Sequence, residues 1–132
     1  MTQHHFPVRI YYEDTDFSGN VYHAAYLKFF ERGRTEFLRD AGIHHSELAE
    51  QGLAFAVRSM DIQFDGAAHI DDLLTVVTAV EAISGARLTL MQTILRGESV
   101  LTRARVVVVA IKTSGAAARL PKAILARFAP EA

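Results

Sequence analysis

Acidic residues, a turn and a tyrosine–histidine pair stand close together in the stretch YYEDTDFSGNVYH, residues 11–23. Asp16 comes before the Ser-Gly-Asn turn, and His23 comes after it. A carboxylate in this position can cap a helix, face solvent in a loop, or act on a carbonyl carbon as a nucleophile or general base. Glu13 and Asp14 fit a solvated loop, so Asp16 is the acid whose task has to be decided.

The distance of Asp16 from the following helix argues against a capping role. Asp16 lies seven residues before His23, which is too early for a cap if the helix begins near His23. Asn20 or Ser18 is the better capping candidate. The carboxylate of Asp16 is therefore left for another task.

A helix that begins near His23 would supply the partner for such a carboxylate. Backbone N–H groups at a helix N-terminus are unpaired and lie at the positive end of the helix dipole. They can stabilise an oxyanion on a carbonyl carbon while Asp16 attacks that carbon or activates a water. The stretch contains no strong general acid, so the reaction requires a leaving group that can depart without being protonated. A thiol, with a pKa of about 8.5, leaves more readily than an alkoxide or amide, which favours thioester hydrolysis.

The side chains around this pair have more than one interpretation. The ring of His23 can bind substrate or transfer a proton, or it can pack while the backbone N–H acts alone; the backbone role is the primary one. The hydroxyl of Tyr12 can orient Asp16 or a water, although an aromatic residue there is more often part of a core or interface. Glu31 is expected on a solvated or inter-subunit face, with a second catalytic acid as the minority interpretation.

The elements that position these residues follow from the hydrophobic pattern. Spacings of three and four predict a helix from about Ala24 to Ala41, with a glycine next as its C-cap. Its inward positions are Tyr26, Phe29, Phe30, Gly33, Phe37 and Leu38. Residues 6–13 predict a strand, and 45–52 and 120–128 predict short helical turns. Further strands are predicted at 57–65, 73–83, 86–96 and 99–112. In the first of these, alternation places Arg58, Met60, Ile62 and Phe64 on one face.

Short Ser-Gly and Gly-Glu turns join the later strands, which favours hairpins and an antiparallel sheet. A helix of about 18 residues is roughly 27 Å long, enough to lie along a sheet that curls around it. One face of 99–111 has small residues suited to a closely packed helix, and its other face also carries apolar residues. A second covered face is typical of an oligomer. The predicted class is α+β.

The composition narrows the possible functions. The chain has 132 residues and a formal net charge of -1, which predicts one domain over 1–132 and offers no basic excess for nucleic acid. It has no cysteine, so a disulfide or a cysteine nucleophile is excluded. No signal-peptide pattern or membrane-spanning run is present, which predicts a cytoplasmic location. The histidine pairs at 4–5 and 44–45 lack ligand spacing, and neither a metal nor a cofactor is expected.

The chain resembles the hotdog-fold acyl-CoA thioesterases of the 4-hydroxybenzoyl-CoA thioesterase-like family, and within it the bacterial branch associated with the Tol–Pal system. The resemblance lies in residues 11–39, where the aspartate, the glycine, the Tyr-His pair and the helix ERGRTEFLR occur in order. It implies a long central helix wrapped by a five- or six-stranded antiparallel sheet. It also implies homodimers or homotetramers, paired across strand edges, with active sites between subunits.

The resemblance places the family's catalytic carboxylate on Asp16 and its helix-terminal amide on His23. A tyrosine implicated in activity matches Tyr12. Related enzymes differ in whether the acid attacks the carbonyl or activates water, and both remain open. Asn20 stands where many relatives have an apolar residue, which we interpret as a change in capping or in the lining of the acyl pocket.

The substrate implied is an acyl-CoA, or an acyl group on an acyl carrier protein. Arg87 follows a Ser-Gly-Ala turn and is the arginine whose position best suits a coenzyme A phosphate. Tyr26, with Ser59 or Met60 of a neighbouring strand, is expected to line the acyl pocket. A non-catalytic protein that binds acyl-CoA or an acyl carrier protein is the alternative. The hydratase branch of the fold is less favoured, because the helix offers no histidine deeper along its length.

Overall fold

The computed structural model describes residues 3–128. The single-domain prediction also covers residues 1–2 and 129–132, which lie outside that range. The strands are β1 His4–Arg9, β2 Leu53–Phe64, β3 Leu73–Ile83, β4 Arg87–Arg96 and β5 Ser99–Lys112; the α-helices are α1 His23–Asp40, α2 His45–Glu50 and α3 Lys122–Phe128. A short 3-10 helix, Tyr12–Asp14, lies between β1 and α1. Within the described range, none of the helices has the length and apolar character that a membrane span requires.

The five strands form one antiparallel sheet in the order β1-β3-β4-β5-β2. The predicted α+β class and antiparallel pairing are confirmed. β1 and β2 are the edges of this sheet within the described chain. Because β2 has 12 residues, one side of it presents a long row of backbone N–H and C=O groups to its surroundings.

Helix α1 packs its predicted inward face against the sheet. All six predicted inward positions are buried, and Arg34 is a seventh buried residue that the prediction did not include. The helix approaches β3 most closely at Gly33, where a Cβ would lie 2.6 Å from Cγ1 of Val76. On β5 the core-facing residues are small and buried, including Ala104 and Val106. Small side chains thus allow the long helix to lie close to the sheet.

The first strand is shorter than predicted. β1 ends at Arg9 rather than at residue 13, because the chain turns into the 3-10 helix Tyr12–Asp14. The carboxylate of Asp14 accepts a hydrogen bond of 2.8 Å from the N–H of Tyr11 and closes that turn. Asp14 is partly buried and closes this turn, whereas Glu13 is exposed.

The edge strand β2 contains a bulge that alternation did not reveal. Its register shifts between Val57 and Ser59. On either side of that shift, Val57 and Met60 pair with residues on the core-facing side of β5, so Arg58 is the extra residue of the bulge. The prediction that Arg58 shares a face with Met60 is therefore wrong.

The outer face of β5 is mixed in character. Val107, Val109 and Ile111 are half-buried there. Arg103 pairs with a carboxylate at 2.8 Å and Arg105 with another at 2.7 Å. An oligomer that covers this face stays a prediction.

Candidate active site

The chain between the 3-10 helix and α1 forms a tight loop around Asp16. Thr15 and Val21 form an antiparallel bridge, and the N–H of Asp16 donates to the carbonyl of Asn20 at 2.9 Å. The N–H of Gly19 donates back to the carbonyl of Asp16 at 3.0 Å. Gly19 has a φ of 84°, a left-handed conformation that favours glycine. The turn therefore fixes the backbone position of Asp16.

Ser18 holds the carboxylate of Asp16. Its backbone N–H donates to Oδ1 of Asp16 at 2.9 Å, and its hydroxyl donates to the same oxygen. These two hydrogen bonds, the hydroxyl one first, hold the pKa of Asp16 below its usual value, and nearby His23 lowers it further. The Asp16 side chain is exposed. The site therefore presents an ionised and accessible carboxylate near the start of α1.

The start of α1 has no side-chain cap. Tyr22 occupies the N-cap position without a capping hydrogen bond, and its N–H donates to the carbonyl of Asp14 at 2.9 Å. The prediction that Asn20 or Ser18 caps the helix is wrong. Both residues belong to the preceding loop, where Ser18 donates to the carboxylate of Asp16 and the carbonyl of Asn20 accepts from the N–H of Asp16.

His23 is the first residue of α1. Among residues 3–128, neither its N–H nor that of Ala24 has a hydrogen-bond acceptor, as is usual for the first turn of a helix. Its ring is exposed and lies 4.6 Å from the ring of Tyr22 and edge-on to Phe64 at 6.2 Å. The open amides fit the predicted oxyanion site, while the ring packs against aromatic neighbours.

The loop between β2 and β3 packs against the Asp16 loop and stabilises it. The N–H of Val21 donates to the carbonyl of Ala68 at 2.8 Å, and the N–H of Ala68 donates to the hydroxyl of Tyr26 at 3.0 Å. Asp72 and Arg96 form a 2.9 Å ion pair at the end of this second loop. The N–H of His69 to the Asp72 carboxylate is the main interaction that lowers the pKa of Asp72.

Tyr26 therefore has a structural task in this chain. It is buried, and burial raises the pKa of its hydroxyl. Its ring lies 5.9 Å from that of Phe64 and 6.1 Å from that of Phe29. The partners of this bracing network come from loops and strands far apart in the chain, so no local sequence pattern indicates them.

The remaining predicted residues do not converge on Asp16 within one chain. Tyr12 is 82% exposed, and no hydrogen bond within residues 3–128 joins its hydroxyl to Asp16. Ser59 is exposed and lies on the outer face of β2, whereas Met60 is half-buried on the core-facing side. Arg87 starts β4 next to Leu88, which lines a cavity together with the C-terminal part of α1, and so Arg87 lies at the end of the sheet away from His23.

Large apolar side chains are exposed around the loop. Phe17, next to Asp16, is fully exposed. Tyr11, Tyr22 and Phe64 are also exposed to about half or more of their surface. Exposed patches of this kind mark interaction sites.

In the described chain, no group of three or more histidine, aspartate or glutamate side chains is arranged to hold a metal ion.

The chain belongs to the thioesterase-like superfamily, whose family model matches residues 11–128. Its sheet wrapped on one long helix is the hotdog fold of solved thioesterases. At 24% identity, a hypothetical protein from Aquifex aeolicus has the same fold with a TM-score of 0.89 over 94% of this chain and 98% of that one.

Other relatives are more similar in sequence. An acyl-CoA thioesterase, YbgC, of Haemophilus influenzae is 48% identical over 107 residues, which are 80% of this chain and 79% of the relative. The acyl-CoA thioester hydrolase YbgC of Escherichia coli is 41% identical over 124 residues, 92% of each chain. A probable thioesterase from Bartonella henselae is 50% identical, with a TM-score of 0.88 over 91% of this chain and all of that one.

Proposed function

We propose that this protein hydrolyses acyl-CoA thioesters to a free acid and coenzyme A. The observation that carries the proposal is the position of an ionised, exposed carboxylate, Asp16, beside the open amides at His23. Relatives named acyl-CoA thioesterase or thioester hydrolase match most of the chain at 41% and 48% identity. The catalytic set proposed is Asp16 and the backbone N–H of His23, with Tyr12 and the His23 ring as helpers.

The chemistry proceeds at the thioester carbonyl. The carbonyl oxygen accepts from the amide at His23 and gains negative charge as the carbon is attacked, and the helix dipole favours that charge. Asp16 either attacks the carbon directly, forming an anhydride that water then opens, or removes a proton from an attacking water. In both routes the C–S bond breaks and coenzyme A leaves as a thiolate. The route needs no strong acid, in keeping with a site that has none.

An oligomer completes the proposed site. Exposed aromatic residues surround Asp16, and β2 offers a long edge for pairing with a second copy. Ser59 and Arg87 lie away from the Asp16 of their own chain. If they contact the acyl group and coenzyme A, they do so from the other subunit. We therefore propose a homodimer or homotetramer with active sites at the subunit interface.

The finer assignments rest on the resemblance of residues 11–39. They are membership of the Tol–Pal-associated branch and an acyl carrier protein as a second donor of the acyl group. A cytoplasmic location is proposed on a different ground, the lack of a signal-peptide pattern in the sequence. Each stays part of the proposal.

A panel of acyl-CoA substrates with a thiol-trapping reagent tests the activity directly. The expected result is release of free coenzyme A that is proportional to enzyme concentration and saturates with substrate. Calorimetric titration of the same compounds runs beside it. Binding without thiol release from any member of the panel would favour the non-catalytic acyl-binding alternative.

A further inference from the structure

A cavity of about 410 Å³ lies between α1, α2 and the core-facing side of the β2 half of the sheet. Its lining includes Glu31, Arg34 and Leu38 from α1 and Phe55 from β2. A volume of this size falls within the range of small-molecule sites. Seven of the eleven lining residues are apolar, and Glu31 and Arg34 are the charged ones among the rest.

Arg34 is the unusual member of this lining. It is only 9% exposed, and burial is the main influence on its pKa, which it lowers. Its guanidinium donates one hydrogen bond of 3.2 Å to the side-chain carbonyl of Gln92. No carboxylate among residues 3–128 lies within 4.0 Å of it. An arginine carries five N–H donors, so most of them have no protein acceptor here.

Gln92 offers Arg34 a single acceptor atom. It is fully buried, and its amide group donates to the carbonyl of Phe30 at 3.0 Å and to the hydroxyl of Thr78 at 3.0 Å. Its one oxygen already serves Arg34. The guanidinium is thus held in place by the core and turned toward the cavity. The nearby Glu31 carboxylate favours the charged form of Arg34 and so offsets part of the cost of burial. The Arg34 N–H groups that lack a protein acceptor are accessible rather than fully enclosed, so an anionic ligand group in the cavity could accept from them.

The cavity lies on the same side of α1 as the proposed active site, farther toward the C-terminal end of the helix. His23, Leu27, Glu31, Arg34 and Leu38 follow one another at spacings of three and four, so they lie along one side of α1. Leu27, which is 43% exposed, makes this side of the helix apolar between His23 and Arg34. β2 runs beside this stripe in the opposite direction, since its C-terminal end meets His23 and its N-terminal end lines the cavity.

We propose that this cavity binds the far end of the acyl group and that Arg34 recognises a carboxylate there. The substrates favoured would then be acyl-CoA thioesters of dicarboxylic acids. This inference rests on the proposed thioesterase function, because it places the thioester at His23. Arg34 binds substrate in this account and takes no part in the chemical step.

The separation of the two ends sets the chain length. Arg34 lies eleven positions after His23, which at the rise of a helix is about 16 Å, and the arginine side chain leans back toward the N-terminus and shortens the gap. An extended chain advances about 1.2 Å per bond. The favoured diacids therefore have about six to twelve carbons.

The test compares each diacid monothioester with the plain acyl-CoA of the same length, for example suberoyl-CoA with octanoyl-CoA. Because a hydrogen-bonded charge pair in a buried site is favourable, kcat/KM is expected to be about 10- to 100-fold higher for the diacid form at the best length. If the plain acyl-CoAs are hydrolysed equally well at every length, this inference is wrong while the proposed function stands.

Two variants with a matched control locate the effect. Arg34→Met is expected to abolish the preference, measured as the ratio of the two kcat/KM values, whereas Arg32→Met on the exposed side of the same helix is expected to keep it. Glu31→Gln removes a negative charge from the rim of the cavity and is expected to raise the ratio by about twofold, because the exposed carboxylate repels the diacid weakly. An unchanged ratio in Arg34→Met would overturn the assignment.

Binding decides the inference if no thioester is hydrolysed. Calorimetric titration of suberoyl-CoA and octanoyl-CoA into the Asp16→Asn protein measures affinity without turnover. Tighter binding of suberoyl-CoA supports the pocket even where the proposed hydrolysis fails. Equal affinities at each chain length tested would reject it.

Discussion

Asp16 differs from the neighbouring acids in what holds its carboxylate. Both the hydroxyl and the N–H of Ser18 donate to it, and His23 adds a favourable charge. Asp14 instead closes the preceding turn, and Glu13 is exposed. Distance along the sequence singled out Asp16 because it could not cap the helix. These hydrogen bonds are the main physical reason why the pKa of Asp16 lies below its usual value.

The dependence of activity on pH should reflect Ser18. Replacing it with alanine removes the strongest interaction that lowers the Asp16 pKa, so that pKa rises. Since the carboxylate is the active form, the acid limb of the kcat/KM profile should move to higher pH in Ser18→Ala, with the greatest loss of rate at acid pH. Ser99→Ala, an exposed serine at the start of β5, serves as the control. If the acid limb does not move, the ionisation that limits kcat/KM at low pH is not that of Asp16.

At the scale of elements, the long helix and the antiparallel pairing of the later strands were predicted correctly, whereas the helix cap and the bulge in β2 were not. The three-and-four spacing located α1 and its inward face, because that face must be apolar wherever the sheet lies. The cap was misjudged because Ser18 and Asn20 have acceptable capping side chains but are used by the preceding loop. The bulge at Arg58 depends on pairing with β5, which alternation within β2 does not reveal.

The close contact of α1 with β3 should make Gly33 intolerant of even a methyl group. Alanine favours a helix over glycine by about 1 kcal/mol, but its Cβ would lie 2.6 Å from Cγ1 of the fully buried Val76. Overpacking of a core costs about 1–3 kcal/mol. Gly33→Ala should therefore lower the free energy of unfolding, measured by urea denaturation, by about 1 kcal/mol.

Removing the obstructing methyl groups provides the control for that prediction. In a Val76→Ala background the same Gly33→Ala change should be neutral or stabilising, since the helix propensity then acts alone. The same loss in both backgrounds would show that the close contact is not the cause.

At the scale of the molecule, the single chain has two groups of features that the hydrophobic pattern did not predict. One is internal: Arg34 occupies an inward position of α1, four residues after Phe30, where a charge in an apolar stripe was a signal that sequence reasoning missed. Its partner Gln92 is 58 residues away along the chain, and the cavity lining is drawn from three strands besides α1 and α2. The other is external: the exposed aromatics around Asp16 and the open edge of β2, which fit a second copy of the chain.

Phe17 offers a clean test of the proposed oligomer. Because it is fully exposed, it contributes little to the folding of one subunit. Phe17→Glu should therefore leave the unfolding of an isolated subunit nearly unchanged but shift the mass measured by light scattering toward the monomer and lower activity with it. Lys28→Glu, an exposed site on α1, is the control. A stable oligomer with full activity in Phe17→Glu would place the interface elsewhere.

The central claim is that the carboxylate of Asp16 performs the hydrolysis at the helix amide. Its most direct test is thiol release from an acyl-CoA by Asp16→Asn, compared with Glu13→Gln, which removes a charge from the 3-10 helix just before the loop. Asparagine keeps the size of the side chain but can neither attack as a carboxylate nor accept a proton, so kcat should fall by at least about 100-fold while Glu13→Gln stays close to wild type. Wild-type kcat in the Asp16→Asn protein would contradict the mechanism.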